Sequence, residues 1–407
     1  MKILYMIHMS HISSGLGGHW RSMRALVECM ESQGHICKIL TMTKTGFGSP
    51  VISSMSTEST EVALSYSKYY SFRKSLASIL KSYCPDVIHC FDFNSYYHFL
   101  LSGVRKRYPV IMSKCGGPPC TRLLPMPEHV VIFSQEDLEW FCLNSPSKKK
   151  SNFHYIPNRV SRVTSDEVLS DSVRTQVDSE KVILQICRIG NHYENSISQS
   201  LNLVRSLRLE GVNVKLALVG VVESEQVLRR VVDQGGDALV VFSSRAYVEE
   251  ASKILAAGDI IVGTGRGAME AAMVGKPVLV PTQNTSAPIL MQSSSFASLF
   301  RFNFSPRCKA LGLTEAENLN DVVACLSDPI SHQKFCKFSR EVAEKYFAIG
   351  STYPRYLDLY ATQAILSSGF FEPLKAVKEL AISLVRRLLN ENSQITSIKS
   401  AYRVNRH

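Results

Sequence analysis

Short apolar runs alternate with helical patterns along this chain, and the alternation occurs twice. Ile3–Ile7, Ile36–Met42, Asp86–Cys90, Pro109–Met112 and Val130–Phe133 are apolar runs, and helical stretches such as His19–Ser32 and Ser71–Tyr83 lie between them. Buried strands separated by amphipathic helices predict a parallel sheet covered on both faces. The pattern pauses between Asn144 and Lys181, a stretch rich in Ser, Asp and Lys that holds Pro146 and Pro157 and reads as an interdomain connection. It then restarts, with strands expected at Val182–Cys187, Val214–Val219, Ala238–Phe242, Asp259–Val262 and Pro277–Pro281. The helices expected between and after them are Ser196–Glu210, Ser224–Gln234, Tyr247–Ala256 and Ala268–Val274. Further helices are expected from Leu319 to about Ala348 and from Tyr353 to Leu366. The expectation is an α/β chain of two doubly wound domains, and 407 residues suit two at about 100–200 residues each.

Composition narrows the function classes. Hydrophobic residues make up 45% and charged residues 20%, the balance of an ordinary folded protein. The formal net charge is +11, yet the densest basic run is only Lys148-Lys149-Lys150, in a loop-like segment. With no zinc-finger spacing and no aromatic RNA-binding motif, a solvated basic surface is expected and nucleic acid is not an expected partner. The 11 cysteines are odd in number and scattered, without a C-x-x-C, which predicts reduced, mostly buried thiols and a cytoplasmic protein. Met1–Met9 reads as a first strand rather than a signal peptide, and no run of about 18 apolar residues predicts a transmembrane helix. After Pro373, Leu374, Val377, Leu380, Leu384, Leu388 and Ile395 alternate with Lys375, Lys378, Arg386 and Arg387. The plainer expectation is a helix packed on the body with its charges in water; an anionic membrane surface is the alternative.

The most informative stretch runs from Asp259 to Val280. A strand ends at Val262, Gly263, Gly265 and Gly267 follow at alternate positions, and a helix is expected from about Ala268. Glycines let backbone approach a ligand, and a helix N-terminus presents N–H groups, so this turn can cradle a diphosphate. Arg266 adds a charge-assisted contact, with Thr264 in the same loop. Glu270, expected in the first helical turn, suits two vicinal ribose hydroxyls; the alternative is a carboxylate complementing the helix dipole. Such turns are common in αβ loops, so the motif needs support. Arg188 supplies some, because it directly follows the strand that opens the second domain, and ligands in open α/β sheets sit beyond the carboxyl ends of the strands. Ser14-Gly15-Leu16-Gly17-Gly18 follows the first strand but departs from the dinucleotide fingerprint. His89 reads as a strand-end histidine, His98 lies nine residues on without metal-site spacing, and with no Asp-x-Asp pair no bound metal is expected.

Several segments together resemble glycosyltransferase family 4. They are Met1-Lys2-Ile3-Leu4-Tyr5, Gly17-Gly18, Gln33-Gly34-His35, Pro85-Asp86-Val87-Ile88-His89, Ile156-Pro157-Asn158, Arg188, Leu218-Val219-Gly220, Glu270-Ala271 and Gly275-Lys276-Pro277-Val278. The resemblance covers about residues 1–365. It implies a GT-B fold, two Rossmann-like domains facing a cleft: 1–160 on the acceptor side, 161–345 binding the nucleotide-sugar, helices 346–366 returning to the first domain, and 367–407 as a basic tail. It implies metal-independent, retaining sugar transfer from a UDP- or GDP-linked donor to a glycan or lipid-linked acceptor, without a cofactor, at the cytoplasmic face of a membrane. Arg188 matches the arginine that neutralises the leaving diphosphate, Glu270 the second glutamate of Glu-x7-Glu, and Gly17 and Gly18 the loop that closes on the donor.

The departures are specific. Tyr193 stands where the family has a lysine, Val262 where it has the first glutamate, and Arg159 where it has a glycine, while the family's histidine falls near Cys115-Gly116-Gly117. Two other functions therefore remain open: a nucleotide-sugar epimerase of the same fold, or a weakened nucleotide-sugar-binding partner subunit.

Overall fold

The computed structural model describes residues 1–9, 15, 17–43, 48–65, 69–104, 108–116, 127–144, 153–362, 377–378 and 381. The lysine run 148–150 and nearly all of the basic tail lie outside the described residues. Contacts divide the chain into two compact units: residues 1–132, 137–154 and those from 358 onward, then 133–136 with 155–357.

The first sheet comprises β1 (Lys2–Met9), β2 (Ile36–Thr43), β3 (Glu58–Ala63), β4 (Val87–Cys90), β5 (Val110–Lys114), β6 (His129–Ile132) and β7 (Phe153–Tyr155). Its order is β3-β2-β1-β4-β5-β6-β7, with parallel pairing from β3 through β6. The second comprises β8 (Lys181–Ile186), β9 (Val214–Val219), β10 (Leu239–Phe242), β11 (Ile260–Val262), β12 (Val278–Val280) and β13 (Ile289–Leu290). Its order is β10-β9-β8-β11-β12-β13, parallel except for the β12–β13 pair. Both are the doubly wound sheets expected. In each, the chain winds one way from the first strand and then returns to wind the other, so the switch points fall between β1 and β4 and between β8 and β11.

Strand β8 shows why the sequence takes this form. Val182 and Leu184 pack into one core with Ala217, Val219 and Val278. Ile183 points the other way, into a second core with Leu216, Leu218 and Leu279. A strand with apolar side chains on both faces is stable only between two helical layers. Each fully buried Val, Leu or Ile contributes about 1.5–3 kcal/mol by burial.

Three local expectations change. The polar stretch Asn144–Lys181 is more than a connection: a helix spans Glu167–Val177, capped by Asp166, whose carboxylate accepts Leu169 N–H at 3.0 Å. Its Val173 and Val177 are buried one turn apart, and the Ser- and Asp-rich residues are its wet face. The helix expected over Tyr247–Ala256 is a short helix, Arg245–Val248, followed by a 3-10 segment, Ala251–Ala257. Glu250, at φ −124° and ψ 46°, breaks the run. The Leu319–Ala348 stretch starts earlier, with a Thr314/Glu317 capping box, and divides at Asp328-Pro329.

His89, expected at a strand end, lies within β4 and is fully buried, its ring nitrogens meeting the Tyr360 hydroxyl at 2.7 Å and the Ser113 hydroxyl at 2.8 Å. The ten described cysteines are free thiols, four of them buried. Among the described residues, no helix is long and apolar enough to cross a membrane.

Asp92, just past β4, secures the switch point of the first sheet. Its carboxylate accepts Ser95 N–H at 2.7 Å, capping the helix Phe93–Ser102, and His8 N–H from β1 at 2.7 Å. Burial pushes its pKa up to about 6, although these hydrogen bonds pull it down. The folded protein thus holds this proton more tightly than the unfolded chain, whose aspartate titrates near pH 3.9. Asp92 therefore stabilises most below about pH 4, and that contribution is lost as pH rises through about 6. Asparagine, a good cap, mimics the protonated form. The stability of wild type relative to Asp92→Asn should fall by at most about 3 kcal/mol from pH 4 to pH 7, at about 1.4 kcal/mol per pKa unit. Urea unfolding across that range checks it; a difference that rises with pH contradicts it.

Candidate functional site

The second sheet places the predicted residues of its unit on two neighbouring strand ends. Strands β8 and β11 pair in parallel, with Val262 opposite Gln185. Arg188 lies just beyond β8 and the Gly263–Gly267 loop just beyond β11, so the two flank the switch point, where open α/β sheets bind ligands.

Arg188 is exposed. Its Nη1 donates to Glu223 Oε1 at 2.8 Å and its Nη2 to the Tyr193 hydroxyl at 3.5 Å, and its guanidinium carbon lies 5.3 Å from the Tyr193 ring centre. Partial burial lowers its pKa, but Tyr193 and Glu223 outweigh this and raise it above the ordinary arginine value, so the cation is permanent. Tyr193 itself is the N-cap residue of the helix Glu194–Leu209. Sequence reading missed Glu223, which lies far along the chain; only its place after β9, beside β8, reveals it.

The loop after β11 is tighter than expected. A Cβ at Gly263 would lie 2.6 Å from the Ala268 nitrogen, so only glycine lets the strand end approach the helix start this closely. Gly265 adopts φ +52° and is the N-cap; its N–H donates to the Phe304 carbonyl at 2.9 Å. The helix is Arg266–Val274, so it begins at Arg266 rather than Ala268. Gly267 is inside the first turn, its N–H bonded to the Thr264 carbonyl at 3.0 Å. Glu270 is the fifth helical residue, just past the first turn where it was expected. Val262 is 1% exposed and belongs to the core.

Arg266 reaches along its own helix. Its Nε donates to Glu270 Oε1 at 2.7 Å, with both side chains only 11–12% exposed. Its Nη1 donates to the Arg159 carbonyl at 2.7 Å. Arg159 is fully buried, its guanidinium carbon 4.7 Å from the Phe133 ring centre and 4.4 Å from that of Tyr356, with Nη1 bonded to the Tyr356 hydroxyl. Cation–π contacts with these two rings offset part of the cost of burying this charge. The role of Arg159 was not visible in the sequence, where it was only a departure from a turn motif.

Gly17 and Gly18 lie in the first unit, after β1. Gly17 is the N-cap of the helix Gly18–Ser32, and its carbonyl accepts Trp20 N–H at 3.1 Å. Among the described residues no group of three or more His, Cys, Asp or Glu is arranged to hold a metal. A cavity of about 500 Å³ in the second unit is lined by Arg162, Met273, Val274, Arg340 and Glu344. It adjoins the carboxyl end of the Arg266–Val274 helix, the opposite end from the glycine loop.

No family model matches the chain, and neither does any curated protein. Solved structures do. HepE of Anabaena, in complex with UDP and glucose, aligns with a TM-score of 0.64 at 14% identity, covering 89% of this chain and all of that one. A glycosyltransferase from Rickettsia africae gives 0.62 at 15%, covering 90% and all of the other chain. Sucrose-phosphate synthase from Thermosynechococcus elongatus gives 0.60 at 15%, covering 89% and 98%. These likenesses, with the two doubly wound sheets, show that the architecture is the GT-B fold.

Proposed function

We propose that this protein is a glycosyltransferase that moves a sugar from a UDP- or GDP-linked donor to a polysaccharide or glycolipid acceptor, with retention and without a metal. The observation that carries this reading is the placing of Arg188 and the Gly263–Glu270 segment on adjacent strand ends, on either side of the second sheet's switch point. In such a transfer the largest electrostatic demand is the negative charge growing on the leaving diphosphate. Arg188 answers it with a permanent cation, and the backbone of Gly263, Thr264, Gly265 and Gly267 lets the phosphates approach the start of the Arg266–Val274 helix. Glu270 accepts hydrogen bonds from the ribose hydroxyls. In this reading Gly17 and Gly18 close on the donor from the acceptor-side domain, 1–160, and work at the inner membrane face brings the acceptor within reach. HepE, of the same fold, was solved with UDP and with UDP-glucose, which supports a nucleotide-sugar donor.

Calorimetry with UDP and GDP tests the reading. Wild type should bind one of them, and Glu270→Gln should weaken that binding by about 1–3 kcal/mol, the range for hydrogen bonds to a charged group. Glutamine still offers an acceptor to Arg266, so the fold is kept. Wild type binding neither nucleotide would overturn the proposal. Binding without transfer would favour the second reading, a nucleotide-sugar-binding partner, which the core position of Val262 supports because no carboxylate stands there to hold the donor sugar.

A further inference from the structure

We infer that Arg266 is a positioning residue for nucleotide recognition: it fixes the Glu270 carboxylate for the ribose and makes no contact with the phosphates. This rests on the nucleotide-sugar reading of the site.

The first argument is electrostatic. Arg266 is the first residue of its helix, and the first turn holds no acidic residue. A cation there opposes the helix dipole, and a basic residue four positions before an acidic one is the weaker orientation of such a pair. Helix stability therefore gives no reason for arginine at this position. A nearly buried ion pair is also no guarantee of stability, since both charges lose water. The pair needs another account.

The second argument is geometric. The 2.7 Å bond from Arg266 Nε leaves Glu270 with a set side-chain conformation. The same guanidinium is anchored on its other side by the Arg159 carbonyl, also at 2.7 Å. That carbonyl belongs to a buried residue whose guanidinium packs on the Phe133 and Tyr356 rings. The two ring contacts thus hold Arg159, its carbonyl holds Arg266, and Arg266 holds Glu270. Only Oε1 of Glu270 is bonded to Arg266, which leaves Oε2 to accept from the ribose. A carboxylate held in one conformation loses less side-chain entropy on binding.

A double-mutant cycle decides it. Arg266→Gln, Glu270→Gln and the double variant are titrated calorimetrically with UDP, and with GDP in parallel. Uridine and guanosine binding is followed by ligand-observed NMR. Arg266→Gln should weaken the nucleoside and its diphosphate by the same factor, about 5- to 20-fold, and the double variant should bind no more weakly than Glu270→Gln alone. Thermal unfolding confirms that each variant is folded. Loss confined to the diphosphate, or independent losses that multiply in the double variant, would show that Arg266 touches phosphate and overturn the inference while leaving the nucleotide site intact. Wild type that binds none of the four ligands would overturn both the inference and the reading beneath it.

Discussion

Replacing Arg188 with alanine should lower the turnover of sugar transfer by at least about 10²–10³-fold, roughly 2.7–4 kcal/mol of transition-state stabilisation, the effect of removing one preorganised donor from a developing anion. The folded protein should hardly notice. Arg188 is exposed, and its bridge to Glu223 involves side chains 51% and 30% exposed. Exposed ion pairs of this kind contribute about 0–1 kcal/mol. The loss should therefore appear in turnover, with the unfolding midpoint within a few degrees of wild type. Lysine should recover only part of it, because an ammonium cannot keep both the Glu223 and the Tyr193 contacts that a planar guanidinium makes. In the proposed reading, Tyr193 beside Arg188 adds no second positive charge to the leaving group. Loss of Arg188 should thus be more severe than in a site with two cations. Assays of donor consumption with and without acceptor, alongside thermal unfolding, check the prediction; unchanged turnover in a folded variant removes Arg188 from the mechanism.

The fold was legible where the physics is local. Strand β8 announces itself by apolar residues on both faces, whereas the Thr314/Glu317 box and the Asp328-Pro329 break, though equally local signals, are overrun by the apolar spacing that continues from Leu319. The helix Glu167–Val177 was not legible, because its buried residues are few and its exposed face sets the composition. The break at Glu250 was hidden for a different reason: Ala251, Ile254 and Leu255 face the core in a 3-10 segment with the same spacing an α-helix would use. The site divides similarly. Arg188 and the glycine loop follow strands, and strand ends can be read from sequence. Their partners cannot. Glu223 meets Arg188 because β8 and β9 are neighbours, and Arg159 meets Arg266 because a carbonyl distant in sequence is brought beside the start of a helix. Only the Arg266–Glu270 spacing is legible in the sequence, and the glycines around it point to phosphate rather than to an ion pair.

Gly220 carries the largest expected effect on stability. It follows β9, and its N–H donates to the Phe242 carbonyl at 3.0 Å, while Cys187 N–H donates to the Val219 carbonyl at 3.0 Å, so the ends of β8, β9 and β10 are joined here. A Cβ built at Gly220 would lie 1.7 Å from the Cys187 carbonyl oxygen and 2.8 Å from its carbon. Both obstacles are backbone, so no side-chain rotation relieves the clash. The strand ends would have to separate, breaking hydrogen bonds at the place where Arg188 and Glu223 meet. Gly220→Ala should cost more than about 4 kcal/mol, in the range reserved for disruption of packed structure. Gly267 is the control. A Cβ there meets nothing within 4 Å, and its helical position favours alanine over glycine by up to about 1 kcal/mol. Gly267→Ala should therefore unfold at or slightly above the wild-type midpoint in urea. If Gly220→Ala also stayed within about 1 kcal/mol of wild type, an ordinary side-chain substitution by the scale of most point mutants, β8 and β9 would not approach as closely as they do here, and the placing of Arg188 beside Glu223 would fall with it.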